Sequence, residues 1–437
     1  MKQGNNYYRL SKTQKKTLSD QDLKMFYDMR DAVFTKQFVP KDVYEKIGYE
    51  VLGPILFGYV RWLNKQIIET RADVVLFLSR EGKLLEKAYK SIFKETFDTR
   101  IEYVNVSRLA LAKATISNVN TWDEFVEKYK SLFRGLTTIE ELLSLFEIRL
   151  PDESFKMLGL RDKVRLSEIE NKDCFFSEIK KYGRDSFIEQ NQLAKEYLKS
   201  KGVGKGTTIV ADIGWAGTMQ AFFAELFPSE RFIGAYIAVG DSATSEMHLE
   251  LERRGFWFGP SCDDRWQMIR FTISAFEFMF LNSEGTTIGY MKNDSGVYPI
   301  KEKVKYTKYE CIDRAHAASI RYVCDMNEKT LPADMGNPNI WFVPYYNFAI
   351  RPGKETISFF KGFKANNGVK EYSFLPEHLG GYYFFHLKKA FKEFELNNCK
   401  IIWLYGLLPV AIPYYELLCF LTGKIGFKSE YCKKYLQ

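Results

Sequence analysis

Three short apolar segments of this sequence are each followed directly by residues that could bind or process a charged ligand. Segment 74–78 leads into Ser79-Arg80-Glu81-Gly82, segment 101–106 into Ser107-Arg108, and segment 207–211 into Asp212-Ile213-Gly214-Trp215-Ala216-Gly217-Thr218. Arginine offers a planar pair of donors that matches phosphate oxygens. Together, the two arginines, the carboxylates and the glycine-bearing turn predict a site for a polyanionic sugar. Structural ion pairs are the alternative interpretation of the arginines and Glu81.

The glycine-bearing segment 212–218 is the most informative of the three. We expect it to turn tightly and to enter a helix at Thr218, so that backbone N–H groups and the positive end of the helix dipole face a phosphate. Asp212 could hydrogen-bond ribose hydroxyls. The order strand, acidic residue, glycine turn, threonine, helix is also that of a loop that binds PRPP (5-phosphoribosyl-1-diphosphate). The alternative is an ordinary connection whose glycines serve only the backbone.

A further candidate segment, 277–290, carries Glu277 between apolar residues and a predicted turn at Glu284-Gly285-Thr286. A carboxylate in this position could act as a general base on an acceptor hydroxyl. Glu277 is therefore a candidate catalytic residue, and Glu284 and Thr286 are candidate acceptor-binding residues. The alternative for Glu277 is a structural carboxylate at a helix end.

The elements that must position these residues form an alternating pattern. Apolar runs typical of buried parallel strands alternate with helical patterns at 83–93 and 218–227, and 232–239 predicts one more strand. This pattern indicates an α/β domain with a parallel sheet. Since ligands bind at the carboxyl ends of parallel strands, the candidate residues are expected to meet at one sheet edge.

The remaining segments predict helical additions to this domain. Thr121 and Thr138 are each followed three residues later by Glu, which predicts capping boxes that open helices. The expected organisation has a helical extension at 1–45, a donor-binding α/β core at 46–120 and 201–300, a helical insertion at 121–200, and a mostly helical C-terminal acceptor or partner lobe at 301–437.

Composition limits the function classes. Hydrophobic residues make up 46% of the 437 residues, which is enough for a large core. The net charge of +8 is small for a chain of this length and does not by itself indicate a nucleic-acid partner. The seven cysteines contain no C-x-x-C pair and the four histidines no metal-ligand spacing, so we expect no disulfide framework and no protein-built metal site. The polar, lysine-rich start lacks a signal-peptide pattern and predicts a cytoplasmic protein.

One strongly apolar segment, 401–423, is interrupted by Pro409, Pro413 and Glu416. A membrane-spanning helix needs about 20 apolar residues and disfavours such breaks. The expected interpretation is a buried core segment. A contact with a membrane surface and a true span are the alternatives.

Several of these strings resemble a family encoded in bacterial polysaccharide loci, whose members are often labelled predicted haloacid-dehalogenase-type hydrolases. The resemblance covers roughly residues 45–300. It rests on Gly48-Tyr49-Glu50, Gly53-Pro54, Phe77-Leu78-Ser79-Arg80-Glu81-Gly82, Ser107-Arg108, Asp212-Ile213-Gly214-Trp215-Ala216-Gly217-Thr218-Met219-Gln220 and 277–290.

The resemblance implies a phosphoribosyltransferase-like sheet and transfer of 5-phosphoribosyl from PRPP to a hydroxyl of a lipid-linked glycan during O-antigen or capsule synthesis. Arg80 and Arg108 would hold the diphosphate or the 5-phosphate, and Asp212 with the 214–218 turn would hold the ribose phosphate. Glu81 or Glu277 would be the base or would stabilise an oxocarbenium ion. The implied donor-binding residues are Ser79, Arg80, Gly82, Ser107, Arg108, Gly214, Trp215, Gly217 and Thr218.

The chain departs from the family in two places. The family's usual Arg-Asp-Gly reads Arg80-Glu81-Gly82, and no phosphatase motif D-x-D-x-T occurs near the N-terminus. A separate phosphoribosyl phosphatase is therefore expected as a partner. Mg²⁺ is a candidate cofactor because it commonly neutralises diphosphate leaving groups.

Two other functions stay open on the sequence: a glycosyltransferase that uses a nucleotide-activated sugar, and a non-catalytic sugar-phosphate-binding protein of the assembly complex. An acceptor carried on a lipid would place the protein peripherally on the inner face of the cytoplasmic membrane.

Overall fold

The structure is a computed structural model that describes residues 7–34, 38–93, 99–133, 136–160, 164–240, 250–259, 264–303, 310–329, 336–366, 371–410 and 412–421. Its strands are β1 Val74–Leu78, β2 Arg100–Val104, β3 Thr207–Asp212, β4 Arg231–Ala238, β5 Glu252–Phe258, β6 Thr287–Asn293, β7 Gly296–Lys301, β8 Lys364–Asn366 and β9 Glu371–Ser373.

The helices, in chain order, are α1 Lys12–Thr17, α2 Asp20–Phe34, α3 Val43–Ile47, α4 Gly53–Thr70, α5 Gly82–Ile92, α6 Arg108–Thr115, α7 Trp122–Lys128, α8 Lys130–Phe133, α9 Ile139–Leu145, α10 Asp152–Met157, α11 Lys172–Ser200, α12 Thr218–Leu226, α13 Asp264–Arg270, α14 Ile273–Phe280, α15 Glu310–Asn327, α16 Asn339–Tyr345, α17 Lys354–Phe360, α18 Gly380–Phe385, α19 Leu387–Leu396, α20 Lys400–Leu407 and α21 Tyr414–Leu421. Two π-helical turns, Gly48–Leu52 and Tyr346–Ile350, precede α4 and follow α16.

Five strands form one parallel sheet in the order β2-β1-β3-β4-β5. The α/β class and the parallel sheet predicted from the sequence are thus confirmed. After β2 the chain returns to the other side of β1, so the strand order reverses between β1 and β3. In open parallel sheets the crevice for ligands opens at this reversal, beyond the carboxyl ends of the strands.

Apolar side chains on the two faces of the sheet belong to two separate cores. Along β1, Val75 and Phe77 join the core that contains α4 and α5, whereas Leu76 and Leu78 join the core that contains α6, α11 and α12. Successive side chains of a strand point to opposite faces, so a strand buried on both faces is apolar throughout. This explains why β1 appears in the sequence as an uninterrupted apolar run.

The expected insertion at 121–200 is helical. Within its described residues it contributes α7 to α11 and an isolated bridge between Thr138 and Arg165, but no strand. Thr138 and Glu141 form the predicted capping box of α9. The capping box predicted at Thr121 is only half formed: its side chain accepts from the N–H of Glu124, but the carboxylate of Glu124 accepts from Asn120 instead.

The N-terminal and C-terminal segments share a core with one face of the sheet. Buried residues of α2, α15 and α16, such as Met29, Tyr322 and Trp341, belong to the same cluster as Phe77 of β1. The packing therefore joins the segment after residue 301 to the α/β core.

The apolar segment 401–421 is divided into α20 and α21 by residues around Pro409 and Pro413, as the prolines require. Ile401, Ile402, Trp403 and Leu418 are buried, in line with the expected core role, but Leu408, Val410, Ile412, Leu417, Phe420 and Leu421 are exposed. The expected core segment is therefore buried only in part. None of the helices in the described ranges is long and apolar enough to cross a bilayer.

The π-helical turn before α4 depends on a glycine. A Cβ atom added to Gly48 would lie 2.0 Å from the carbonyl oxygen of Ala315 in α15, whereas one added to Gly381 would meet nothing within 4 Å. We expect Gly48→Ala to lower the free energy of unfolding by about 1–3 kcal/mol, because the two segments must separate. Thermal denaturation should show the loss for Gly48→Ala alone; an equal loss for Gly381→Ala would contradict this account.

Candidate functional site

A cleft of about 350 Å³ opens at the carboxyl edge of the sheet, where the strand order reverses. Twelve of the fourteen residues predicted from the sequence to form a site line it, so the structure brings most of them together. They are Ser79, Arg80, Glu81, Ser107, Arg108, Asp212, Gly214, Trp215, Gly217, Thr218, Glu277 and Thr286.

The segment after β3 reaches the cleft because it is fixed to the end of β4. The carbonyl oxygens of Ile213 and Trp215 accept from the N–H groups of Ala238 and Gly240, at 3.3 and 2.9 Å. Gly214 has φ +142°, and a Cβ atom there would lie 2.4 Å from the carbonyl oxygen of Ala238. Only glycine fits this close approach.

Gly217 starts α12 in the left-handed conformation, with φ +79°, and a Cβ atom there would lie 2.7 Å from Nε of Arg253. Gln220, one turn later, donates to the carbonyl oxygens of Phe232 and Glu252 and accepts from the hydroxyl of Tyr236. The glutamine therefore ties the start of α12 to β4 and β5. This leaves the N-terminus of α12 facing the cleft, where it can bind an anion.

The arginines come from the neighbouring strand ends. Arg80 is half-buried, and its carbonyl oxygen accepts from the side chain of Asn282 at 3.0 Å. Arg108 is the first residue of α6 and is exposed. Both guanidinium groups can therefore be reached by a ligand in the cleft.

The two serines of the predicted site hold the strand ends in place. The hydroxyl of Ser79 donates to the carbonyl oxygen of Val106 and accepts from its N–H, at 2.7 and 3.0 Å. Ser107 caps α6 through the N–H of Ala110 and donates to the carbonyl oxygen of Thr287 at 2.5 Å. The second contact attaches the β6–β7 hairpin to the sheet and brings Thr286 to the cleft.

Glu277 enters the cleft from α14. Its Oε1 accepts from the indole N–H of Trp215 at 3.0 Å, so the turn after β3 and a helix 62 residues later meet through one hydrogen bond. Burial raises the pKa of Glu277, the Trp215 hydrogen bond lowers it, and the charge of Glu81 raises it further.

Asp212, the last residue of β3, is half-buried, and its Oδ1 accepts from the N–H of Ile213 at 2.8 Å. Burial holds the pKa of Asp212 well above its usual range, and the charge of Glu81 acts in the same direction. The Ile213 N–H and the positive charge of Arg108 oppose this shift. Glu81 therefore repels both other carboxylates in the cleft.

Two predicted site residues lie outside the lining of the cleft. Gly82 begins α5, where a Cβ atom would lie 2.9 Å from the carbonyl carbon of Phe77, so it serves the packing of helix on strand. Glu284 pairs with Lys301 at 2.6 Å and accepts from the hydroxyl of Tyr103 at 3.1 Å. These contacts fix the start of the β6–β7 hairpin.

Besides several apolar lining residues, sequence reasoning missed Tyr236 in the cleft and Asn282 beside it. Tyr236 lies within the apolar run of β4, where an aromatic residue is expected to belong to the core, yet it lines the cleft. Asn282 holds the backbone at Arg80, but an asparagine before a turn has no distinguishing local signal.

Among the described residues, no group of three or more His, Cys, Asp or Glu side chains could hold a metal ion. The residues present therefore do not fit a protein-built Mg²⁺ cage. Mg²⁺ that arrives with a diphosphate keeps most of its ligands on phosphate and water, and we assign it no protein ligand.

No family model and no curated protein matches this chain. Functional interpretation therefore depends on the cleft itself and on the motifs of the sequence.

The raised pKa of Asp212 has a consequence for stability. The folded protein binds the proton of Asp212 more tightly than the unfolded chain does. The contribution of this carboxyl group to the free energy of unfolding is therefore fully present below the unfolded pKa, and it is lost as the pH rises through the folded pKa. Each unit of pKa difference corresponds to about 1.4 kcal/mol. We expect Asp212→Asn to melt above wild type at pH 8 and close to it at pH 4.

The matched control is Asp185→Asn, which changes an exposed carboxylate of α11 and should shift the melting temperature little at either pH. A melting temperature of Asp212→Asn that lies equally far below wild type at both pH values would contradict the buried-carboxyl account.

Proposed function

We propose that the protein transfers 5-phosphoribosyl from PRPP to a hydroxyl group of a glycan. The observation that carries the proposal is the meeting, in one cleft, of groups suited to phosphate and groups suited to a developing positive charge. Arg80, Arg108 and the N-terminus of α12 are of the first kind, and Glu81 and Glu277 are of the second. The sequence motifs shared with the polysaccharide-locus family point to the same chemistry.

The cleft can accept an anionic donor although three carboxyl groups line it. Three carboxyl groups would repel an anion, but burial holds the pKa of Asp212 well above its usual range, which reduces the negative charge of the cleft. The arginines offer bidentate contacts to phosphate. Asp212 in its protonated form can donate a hydrogen bond to a ribose hydroxyl.

In the proposed reaction, the bond between the anomeric carbon and the diphosphate oxygen breaks, and its electron pair leaves with the diphosphate. The acceptor hydroxyl oxygen bonds to the anomeric carbon, and its proton passes to Glu81 or Glu277. The ribose ring carries positive charge in the transition state, so an ionised carboxylate within the cleft lowers the barrier. The hydrogen bond from Trp215 helps to keep Glu277 ionised.

Phosphate binding by the arginines is directly testable. We expect Arg80→Ala and Arg108→Ala each to weaken PRPP binding by about tenfold to a hundredfold, the cost of a charge-assisted contact of about 1.5–3 kcal/mol. Titration calorimetry with PRPP measures the affinity. Arg231→Ala is the control, because this exposed residue pairs with Glu252 at the opposite end of the sheet. Unchanged affinity in both cleft variants would contradict the assignment.

The role of Gly217 in PRPP binding can be tested separately from the stability cost of a side chain at its backbone conformation. Gly217→Ala and Gly159→Ala both place a side chain at positive φ, +79° and +64°, which should cost each about 1–2 kcal/mol of stability. Gly217→Ala should cost more, because its Cβ atom would lie 2.7 Å from Nε of Arg253. Only Gly217 lies in the cleft, and a Cβ atom added at Gly159 meets nothing within 4 Å. We expect PRPP affinity to fall for Gly217→Ala alone; equal affinities would show that the turn does not bind phosphate.

The product should retain the 5-phosphate. Phosphatases of the haloacid-dehalogenase type need a second Asp two residues after the nucleophilic one, and the residue two positions after Asp212 is Gly214. Mass spectrometry of a synthetic glycan acceptor incubated with PRPP and the pure protein should show addition of ribose with one phosphate. A product that carries bare ribose would reveal a hydrolytic activity and remove the need for a separate phosphatase.

A further inference from the structure

Large apolar side chains are concentrated on one part of the protein's surface. Of the nineteen that are exposed among the described residues, eleven lie between residues 379 and 421, and Leu379 and Phe385 are 87% and 81% exposed. We name this set the C-terminal apolar surface. It comprises Leu379, Phe384, Phe385, Leu387, Phe391, Leu408, Val410, Ile412, Leu417, Phe420 and Leu421.

The helices that carry the C-terminal apolar surface pack against one another and against the core of the protein. Trp403 of α20 packs against Tyr383 and Phe394, with ring centroids 5.8 Å apart in both pairs. A Cβ atom at Gly380 would lie 3.2 Å from the carbonyl oxygen of Leu407, so the start of α18 adjoins the end of α20. The exposed residues of α18, α19 and the segment after α20 are therefore neighbours on a fixed support.

Basic residues lie directly beside the apolar ones. On α19, Leu387 and Phe391 are four residues apart and exposed on one face, and Lys388 and Lys392 are exposed next to them. Among the described residues from 379 to 421 there are four lysines and three glutamates. Apolar side chains bordered by lysine are the pattern of a helix that lies in the interface of an anionic bilayer.

Three described N–H groups at and after the end of α20 have hydrogen-bond partners within the protein. The N–H groups of Val410, Ile412 and Tyr414 donate to carbonyl oxygens two residues earlier, at 2.7, 2.8 and 2.9 Å, and the hydroxyl of Tyr414 donates to the carbonyl oxygen of Leu408. Pro409 and Pro413 have no N–H group. Backbone groups that enter a lipid phase must find partners within the protein, and these donors have them.

We propose that the C-terminal apolar surface docks the protein on a bilayer rich in anionic lipid, with the aromatic and aliphatic side chains in the interface and Lys388 and Lys392 at the headgroups. The proposal stands independently of the donor sugar. It assigns the protein's membrane contact to a surface of short helices and one loop.

Flotation with unilamellar vesicles tests this proposal on the full chain. Wild type should bind vesicles of phosphatidylethanolamine and phosphatidylglycerol more tightly than vesicles of phosphatidylcholine. The double variant Phe385→Ala/Phe391→Ala should lose at least about tenfold in affinity for both, because each ring leaves the lipid interface. Lys388→Gln/Lys392→Gln should lose affinity for the anionic vesicles only, and this loss should disappear at high salt.

The matched control is Phe34→Ala/Met157→Ala, which removes two apolar side chains that are exposed elsewhere, at 51% and 65%. Vesicle binding by this control should equal that of wild type, and PRPP affinity should be unchanged in all variants. Absence of vesicle binding by wild type, or an equal loss in the control, would overturn the proposal. A wild-type dimer that ignores vesicles and dissociates in Phe385→Ala/Phe391→Ala would assign the surface to a second copy instead.

Discussion

Repulsion among three carboxyl groups in one cleft is the constraint on which the site depends. The three groups are Glu81 after β1, Asp212 at the end of β3 and Glu277 in α14. The charge of Glu81 raises the pKa of the other two. Such a cluster costs stability unless cations, hydrogen-bond donors and protons offset it. The two arginines, the Trp215 indole and the Ile213 N–H supply part of this compensation. A proton on Asp212 supplies more, because burial holds the pKa of this carboxyl group well above its usual range.

The scaffold explains why these groups stay together. A parallel sheet brings the ends of β1, β2 and β3 to one edge, and the reversal of strand order leaves a crevice between them. Local contacts then hold each element. Ser79 bonds the segment after β2, and Ser107 bonds the β6–β7 hairpin. Gln220 fixes the start of α12, and Asn282 holds the backbone at Arg80. Loss of any of these contacts would let the arginines move away from the carboxyl groups whose repulsion they offset.

Much of the fold and of the site could be predicted from the sequence because both follow from local patterns. Apolar runs in the sequence predicted β1, β3 and β4. Because parallel strands end at the same edge of a sheet, the polar residues that follow them were expected to lie close together. Edge strand β5 was missed because Glu252, Arg253 and Arg254 interrupt its apolar pattern. Nothing local distinguishes Tyr236 from a core residue. Likewise, hydrophobicity alone could not separate the buried from the exposed halves of segment 401–421, since exposure depends on what packs against each helix face.

A donor screen tests the central claim most directly. Pure protein is incubated with a lipid-linked glycan extract and one labelled donor at a time. The donors are PRPP and a set of nucleotide sugars, each labelled in the sugar. The account predicts acceptor labelling from PRPP with one diphosphate released per transfer, and loss of this activity in Glu277→Gln. Labelling from a nucleotide sugar with release of a nucleotide, and none from PRPP, would contradict it. Binding of PRPP without turnover on any glycan would instead identify a sugar-phosphate-binding protein.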